Sequence, residues 1–499
     1  MTPDSPGQQT GTDATTDPIP LPEGWSVTPA DDLRTKSGGR ILIGGAPLKI
    51  IRLSATGARL SRAWFGGEPV APDPAHQRLA RRLVDAGMAH PRPADGTVDR
   101  VGSITVVIPV KDDAAGLATT LANLLPPPDV VPPPDEPPIL VIVADDGSRR
   151  PVDLDDERVV VHRNPLAEGP AGARQRAMPL ITTDLVAFVD AGVIVDRADL
   201  NRLAAVLDDP ALVAVAPRVL CGTQDNLVGR YDSRRSPLDL GPAPSLVGPG
   251  RAVPYVPSAC LVARRTAIET IGGFDPDLRY GEDVDLIWRL GRDGTVRYVP
   301  EVTAVHPPRR NLGRMIRQRR GYGSAAGPLA VRHGDAVAPC NLSPWSAAVT
   351  GLFVTGHPVA GFGLAAWTGL ALRRKIEPLP DLTAEAMSLT MRGHWFAGRS
   401  VLTALARTWS PAAVLHLVLF ERHRRRIATL LVAAFARRVL DGPRQPVAAA
   451  LDVTVGAVDD LAYATGVWDG VRRTRSIRAL LPAMTSWPKP ADRRAPTER

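Results

Sequence analysis

Cysteine is scarce in this chain. Only Cys221, Cys260 and Cys340 occur in 499 residues, and their spacing matches neither a metal-binding pattern nor a disulfide framework. A reducing environment is the expectation. Aromatic residues make up 5% of the chain, and they form no stacking platform of the kind that holds single-stranded nucleic acid. A recognition helix and a zinc pattern are also missing, so no nucleic-acid partner is expected. The stretch through Asp17 is polar and acidic, without the apolar core of a secretory leader. No internal repeat is visible. Lysine is nearly absent, and the formal charge of +8 rests almost entirely on arginine. With nucleic acid set aside, that charge suits a membrane surface or an anionic substrate.

What is present is enough for a real core. Hydrophobic residues make up 44%, and the length suits two or three domains. Residues 1–20 are rich in Gly, Thr, Pro and Asp and read as disordered. Residues 21–97 read as a small α+β, winged-helix-like domain: strands at 40–45 and 47–54 around a Gly-Gly turn, then helices over 55–67, with Ser54 as cap, and 75–87. Such a module either binds a peptide, as in ribosomal-peptide modification systems that it faintly resembles, or only packs.

From Val101 the pattern changes. ITVVIPV (104–110), ILVIVADDGS (139–148), RVVVHRN (158–164) and DLVAFVD (184–190) are apolar, β-branched runs, as expected of strands buried on both faces. Several end in acids. Helices follow at 114–125 and in GPAGARQRAM (169–178). An open α/β sheet places its ligand beyond the carboxyl ends of such strands. The proline-rich segment 126–138 reads as an exposed insertion. In GGFDPDLRYGEDVDLIWRL (272–290), Gly281 supplies a turn and Glu282 and Asp283 open a helix. The acidic pair either caps a buried helix or performs chemistry.

VVIPVKDD, VADDGS, GPAGARQRA, FVDAG and GGFDPDLRYGEDVDLIWRL stand in the order and spacing of glycosyltransferase family 2, which this chain resembles over about 190 residues. The resemblance implies a GT-A fold across 100–335, an α/β nucleotide-diphospho-sugar transferase, and transfer of a sugar with inversion. Carried onto this sequence, it implies that Pro109 and Asp112 line the nucleoside pocket. Asp145 or Asp146 would bond the uracil, and Arg174 would lie along the nucleotide. Asp190 would open the Asp-x-Asp metal motif, and Asp283, beside Glu282, would be the general base. A divalent metal, Mn or Mg, is implied as cofactor and a UDP-sugar as donor. A histidine such as His306 completes the metal shell in many relatives. Gln318, Arg319 and Arg320 resemble a Gln-Arg segment that touches donor phosphates or the acceptor.

One position departs from the family. Gly192 stands where the second metal-binding aspartate belongs. Either Asp190 and His306 hold the ion with the diphosphate, or Asp196 reaches in, or metal binding is weak. The crevice assignment requires the Asp283 carboxylate to face the strand ends that carry Asp145 and Asp190.

The small N-terminal domain, the stretch 317–335 and the apolar C-terminal third narrow the resemblance to the glycosyltransferases of the mycofactocin system. These add β-1,4-linked glucose units, an oligosaccharide, to a redox cofactor made from a ribosomal peptide. A peptide-derived small molecule is then the expected acceptor. The alternatives are a family 2 transferase for a cell-envelope glycan or lipid-linked sugar, and a weakly catalytic sugar-nucleotide-binding protein.

Residues 340–483 read as a helical region. Segment 345–372 carries no formal charge over 28 residues, yet five glycines and His357-Pro358 interrupt it. It is either one membrane span, a broken pair, or a set of helices closing the acceptor site. Arginine clusters at 373–374 and 422–426 favour contact with the cytoplasmic side of a cell membrane, peripheral or single-pass. Residues 484–499 read as a polar tail.

Overall fold

A computed structural model describes residues 19–94, 103–125, 139–222, 226–308, 311–375, 382–442 and 445–485. The expected disorder of 1–18, the insertion at 126–138 and the tail from 486 onward lie outside the described residues.

The N-terminal domain runs through β1 (Ser26–Pro29), β2 (Arg34–Lys36), β3 (Ile41–Gly44), β4 (Lys49–Arg52), α1 (Ala55–Phe65), α2 (Pro74–Asp85) and β5 (Ala89–Arg92). β2, β3 and β4 form an antiparallel sheet, and β1 pairs with β5. Ser54 caps α1 by accepting the Gly57 amide at 3.0 Å, a standard way to satisfy an orphan helix donor. Trp25, Trp64, Leu83 and Met88 fill its core. Buried Arg81 pairs with buried Asp209 at 2.5 Å and so fixes this domain to the next.

The central domain contains β6 (Ile104–Val110), α3 (Ala114–Leu124), β7 (Leu140–Asp146), β8 (Val159–Asn164), α4 (Gly169–Ala177), β9 (Leu185–Val189), α5 (Arg197–Val206) and β10 (Leu212–Cys221). It continues through α6 (Leu227–Arg235), β11 (Ser245–Val247), β12 (Cys260–Arg264), α7 (Arg265–Thr270), α8 (Glu282–Asp293) and β13 (Thr295–His306). The sheet order is β8-β7-β6-β9-β12-β10-β13-β11. The first four strands are parallel and β12 and β11 run against their neighbours. Ile104, Val106 and Ile108 of β6 face one apolar layer and Val107 the other, so the run is buried on both faces. Chain order reverses between β6 and β9. In a doubly wound sheet that switch point opens the ligand crevice.

The remainder is mostly helical: α9 (Leu312–Ser324), α10 (Ala326–His333), β14 (Asn341–Leu342), α11 (Pro344–Val354), α12 (Pro358–Lys375), α13 (Leu382–Arg407), α14 (Ser410–Leu419), α15 (Arg424–Asp441), α16 (Pro446–Thr474) and β15 (Ala483–Met484). The apolar segment 345–372 is two helices. Gly356, at φ +85°, and Pro358 end one and start the other. Among the described residues no single helix is long and apolar enough to cross a membrane. That corrects the single-span reading of this segment.

Candidate functional site

The crevice is built at the carboxyl ends of β6, β7 and β9. β6 runs out through half-buried Pro109 to Asp112, whose φ of +52° is unusual for a non-glycine residue. The Asp112 N–H donates to Ser148 Oγ at 3.0 Å, and its Oδ1 accepts the Arg149 amide at 2.8 Å. The first two strand-end loops are thereby tied together. Pro109 and Asp112 thus lie at the carboxyl end of β6, beside the switch point.

The two aspartates of β7 have internal roles. Asp145 is buried and accepts from the Ser148 amide at 2.9 Å, the Val152 amide at 3.3 Å and Arg163 Nη1 at 3.0 Å. Burial pushes its pKa up, and these bonds more than offset that, leaving it below the usual value. Asp146, also buried, accepts the Glu168 amide at 2.7 Å and the Gly169 amide at 2.8 Å, where α4 begins. The expectation that Asp145 or Asp146 presents a carboxylate to a uracil is corrected. Their oxygens are committed to shaping the loop and helix that frame the pocket.

Arg174 on α4 is buried and reaches two acids. It donates through Nη2 to Asp190 Oδ1, just beyond β9, and its Nη1 lies 3.5 Å from Glu282 Oε1. Its guanidinium sits 5.4 Å from the Phe274 ring centroid. The neighbouring Gln175 clamps the loop before α8: Oε1 accepts the Phe274 amide at 2.8 Å and Nε2 donates to Gly272 O at 3.3 Å. Sequence reasoning missed this role of Gln175, although the residue lies within the GPAGARQRA motif. The paired Gly272-Gly273, both at positive φ, was the available signal.

α8 begins at Gly281, at φ +78°, and a Cβ there would meet Ala325 Cβ and Leu329 Cδ1 at 2.9 Å. The position demands glycine for both reasons. Glu282 and Asp283 follow in the first turn. Leu286, Ile287 and Leu290 bury the helix's inner face, and Trp288 Nε1 donates to Pro254 O at 2.7 Å. Asp283 is half-buried and accepts the Val284 amide at 2.8 Å through Oδ1. Burial raises its pKa. The Val284 amide and Arg174 oppose that rise, and the Asp190 charge adds to it. Glu282 is pushed to about 7, first by burial and then by the Asp283 charge, with Arg174 working against both. The structure therefore gathers Asp190, Arg174, Glu282 and Asp283 at one place.

The implied metal ion fits this place by charge more than by a ready-made cage. Asp190 and Glu282 share the Arg174 guanidinium and Asp283 stands beside Glu282, so acids outnumber the cation, which favours a bound metal. Gly192, at φ +89°, offers no ligand, and a Cβ there would lie 3.0 Å from Pro307 Cγ. Asp196 does not reach in, because its Oδ1 accepts the Asp199 amide at 2.7 Å and caps α5. His306 ends β13 with Nδ1 2.8 Å from Pro307 O. Among the described residues no three His, Cys, Asp or Glu side chains gather closely enough to hold an ion. Asp190 would offer a carboxylate oxygen to such an ion, and the distances here neither bring His306 to it nor exclude it.

The Gln318, Arg319, Arg320 segment divides. Arg319 is sealed inside, bonding Asp232 at 3.0 Å and Asp459 at 3.1 Å. Arg320 turns outward to Asp469 on α16 at 2.6 Å. Arg319 is corrected: it fastens α9 to α6 and α16, and Arg320 adds an exposed pair to α16. Gln318 bonds within its own helix. Its Nε2 donates to Tyr322 Oη at 2.6 Å, and its Oε1 is buried without a partner among the described residues. Tyr322 meets Tyr280, next to the Gly281 turn, edge to face at 6.3 Å.

The glycosyl transferase family 2 model matches residues 105–272, which carry β6, β7, α4 and Asp190 and end before α8. Over 482 residues the chain is 36% identical to the pre-mycofactocin glycosyltransferase of Mycobacterium tuberculosis, covering 93% of this chain and 98% of that one. The chain belongs to the pre-mycofactocin glycosyltransferases of glycosyl transferase family 2. A shorter likeness, 41% over 66 residues, relates it to the N-acetylglucosaminyl-diphospho-decaprenol L-rhamnosyltransferase of the same organism, covering 13% of this chain and 22% of that one. Among solved structures, a mannosyltransferase from Pyrobaculum calidifontis in complex with GDP-Man and Mn2+ aligns at a TM-score of 0.34, with 18% identity over 70% of this chain and 90% of that one. That likeness is too distant to bear on the site. The GT-A assignment rests on the family and on the sheet order observed here.

Proposed function

We propose that this glycosyltransferase moves a hexose, glucose, from UDP-glucose onto the peptide-derived redox cofactor mycofactocin or its precursor, with inversion and a β-1,4 linkage. The supporting observation is the Asp283 carboxylate, half-buried at the mouth of α8 in one charge cluster with Arg174 and Asp190. Its raised pKa makes it a stronger base than an ordinary aspartate.

The acceptor hydroxyl loses its proton to Asp283 as its oxygen attacks the anomeric carbon from the face opposite the nucleotide. The bond from that carbon to the diphosphate oxygen breaks, and UDP leaves with the electron pair. In this reading Arg174, beside Asp190 and Glu282, supplies a fixed positive charge to the diphosphate. Gln318 Oε1 accepts from a hydroxyl or amide of the acceptor. A divalent ion, Mn or Mg, would be held by Asp190 and would neutralise the departing diphosphate.

The test is incubation of the full chain with several UDP-sugars and pre-mycofactocin, with and without a chelator, followed by mass spectrometry. Hexose addition from UDP-glucose is expected. Addition from another donor, or to a lipid fraction and not to pre-mycofactocin, would replace this reading.

A further inference from the structure

Two helices of the C-terminal region leave one apolar face bare. On α14, Ser410 and Ala413 are buried, whereas Val414, Leu415, Val418 and Leu419 are 48–62% exposed, and Phe420 follows at 51%. Their spacing is that of one helical face. α12 repeats the arrangement independently. Gly361, Ala365, Thr368 and Gly369 are buried, and Val359, Phe362, Trp367 and Leu370 point outward at 49–84% exposure.

Each bare face ends in cations. Exposed Arg373 and Arg374 close α12, and exposed Arg422, Arg424, Arg425 and Arg426 follow α14. Among these, Arg424 pairs with Glu421 at 3.1 Å. An apolar helical face with arginines at its end and tryptophan along it matches the interfacial layer of a membrane, where acyl chains give way to anionic headgroups.

We propose that the outer faces of α12 and α14 rest in the surface layer of an anionic phospholipid membrane, lying along it without crossing. The 10-residue α14 rises about 15 Å at 1.5 Å per residue, half of a hydrocarbon core of about 30 Å. The 76° bend between α13 and α14 prevents the two from forming one straight span. A second copy of the chain is the poorer occupant. A two-fold contact would bring like arginine clusters into the same interface, where Glu421 is the acid paired with one of them among the described residues. Phosphate headgroups neutralise them instead.

The test is flotation of the full chain with phosphatidylcholine vesicles, with and without phosphatidylglycerol. Phosphatidylglycerol should strengthen binding about tenfold or more, and high salt should weaken it. Leu415→Asp/Leu419→Asp should abolish flotation, and Arg425→Glu/Arg426→Glu should remove the phosphatidylglycerol preference. Both variants alter exposed side chains, so their unfolding midpoints should match the parent. Failure of the parent chain to float would overturn the proposal. So would equal flotation of parent and both variants, or a dimer in sedimentation that Leu415→Asp/Leu419→Asp dissolves.

Discussion

Arg174 and Asp190 form a direct ion pair that joins α4 to the end of β9. With Glu282 3.5 Å from the other side of the same guanidinium, the pair links the nucleotide half of the sheet to the helix that carries Asp283. Replacing a buried arginine whose acids remain leaves uncompensated charge, which costs about 3 kcal/mol or more. Arg174→Met should lower stability by that order and raise the donor KM. Chemical denaturation and initial-rate kinetics check both effects. A variant with parental stability and KM would remove Arg174 from the centre of the site.

Glu282 carries a sign that can be measured. Its folded pKa of about 7 lies above the ordinary glutamate value of 4.5. Between those values the folded chain holds the proton more tightly than the unfolded chain, so stability falls as pH rises through that window. Glu282→Gln removes the loss. It should stabilise the protein at pH 8, by up to about 3 kcal/mol, and leave it unchanged near pH 4. Activity runs the opposite way, because Asp283 must be ionised to act. The rate should fall on acidification starting above the ordinary aspartate range.

Gly192 is the family's missing aspartate, yet restoring the aspartate should do harm. The backbone there is at φ +89° and Pro307 Cγ lies 3.0 Å from a built Cβ. Gly192→Asp should cost about 1–2 kcal/mol from the left-handed backbone alone, without tighter Mn binding in calorimetry. Tighter binding with parental stability would show that this loop accommodates a second ligand.

Arg319 and Arg320 separate structure from substrate contact. Arg319→Met breaks a buried pair with Asp232 and Asp459 and should cost about 3–5 kcal/mol. Below the variant's unfolding temperature its donor KM should be unchanged. Arg320→Ala loses one exposed pair with Asp469 and should shift stability by less than about 1 kcal/mol. A raised donor KM in either would return the segment to the site.

The four parallel strands, their acid-bearing carboxyl ends and the Gly281 turn were legible because their physical causes are local. An unbroken apolar run requires two covered faces, and a glycine before an acidic helix start fixes a turn. Arg319 was misread because the Gln-Arg run resembles one that touches substrate in relatives, while its partner Asp459 lies 140 residues away. The clue was distant but present: Asp452, Asp459 and Asp460 are buried on α16, and acids on a buried helix need cations. The β7 aspartates misled for a related reason. A carboxylate at a strand end serves a ligand or its own backbone equally well, and the amides of Ser148, Glu168 and Gly169 decide it. The break within 345–372 was visible in Gly356 and Pro358, but composition alone did not reveal the bare faces of α12 and α14.

The central claim is that Asp283 takes the acceptor's proton. The most direct measurement compares single-turnover hexose transfer with UDP binding for the parent and Asp283→Asn. Transfer should fall by about 10²–10⁴, with UDP affinity changed by less than about threefold. Transfer at the parental rate would contradict the account.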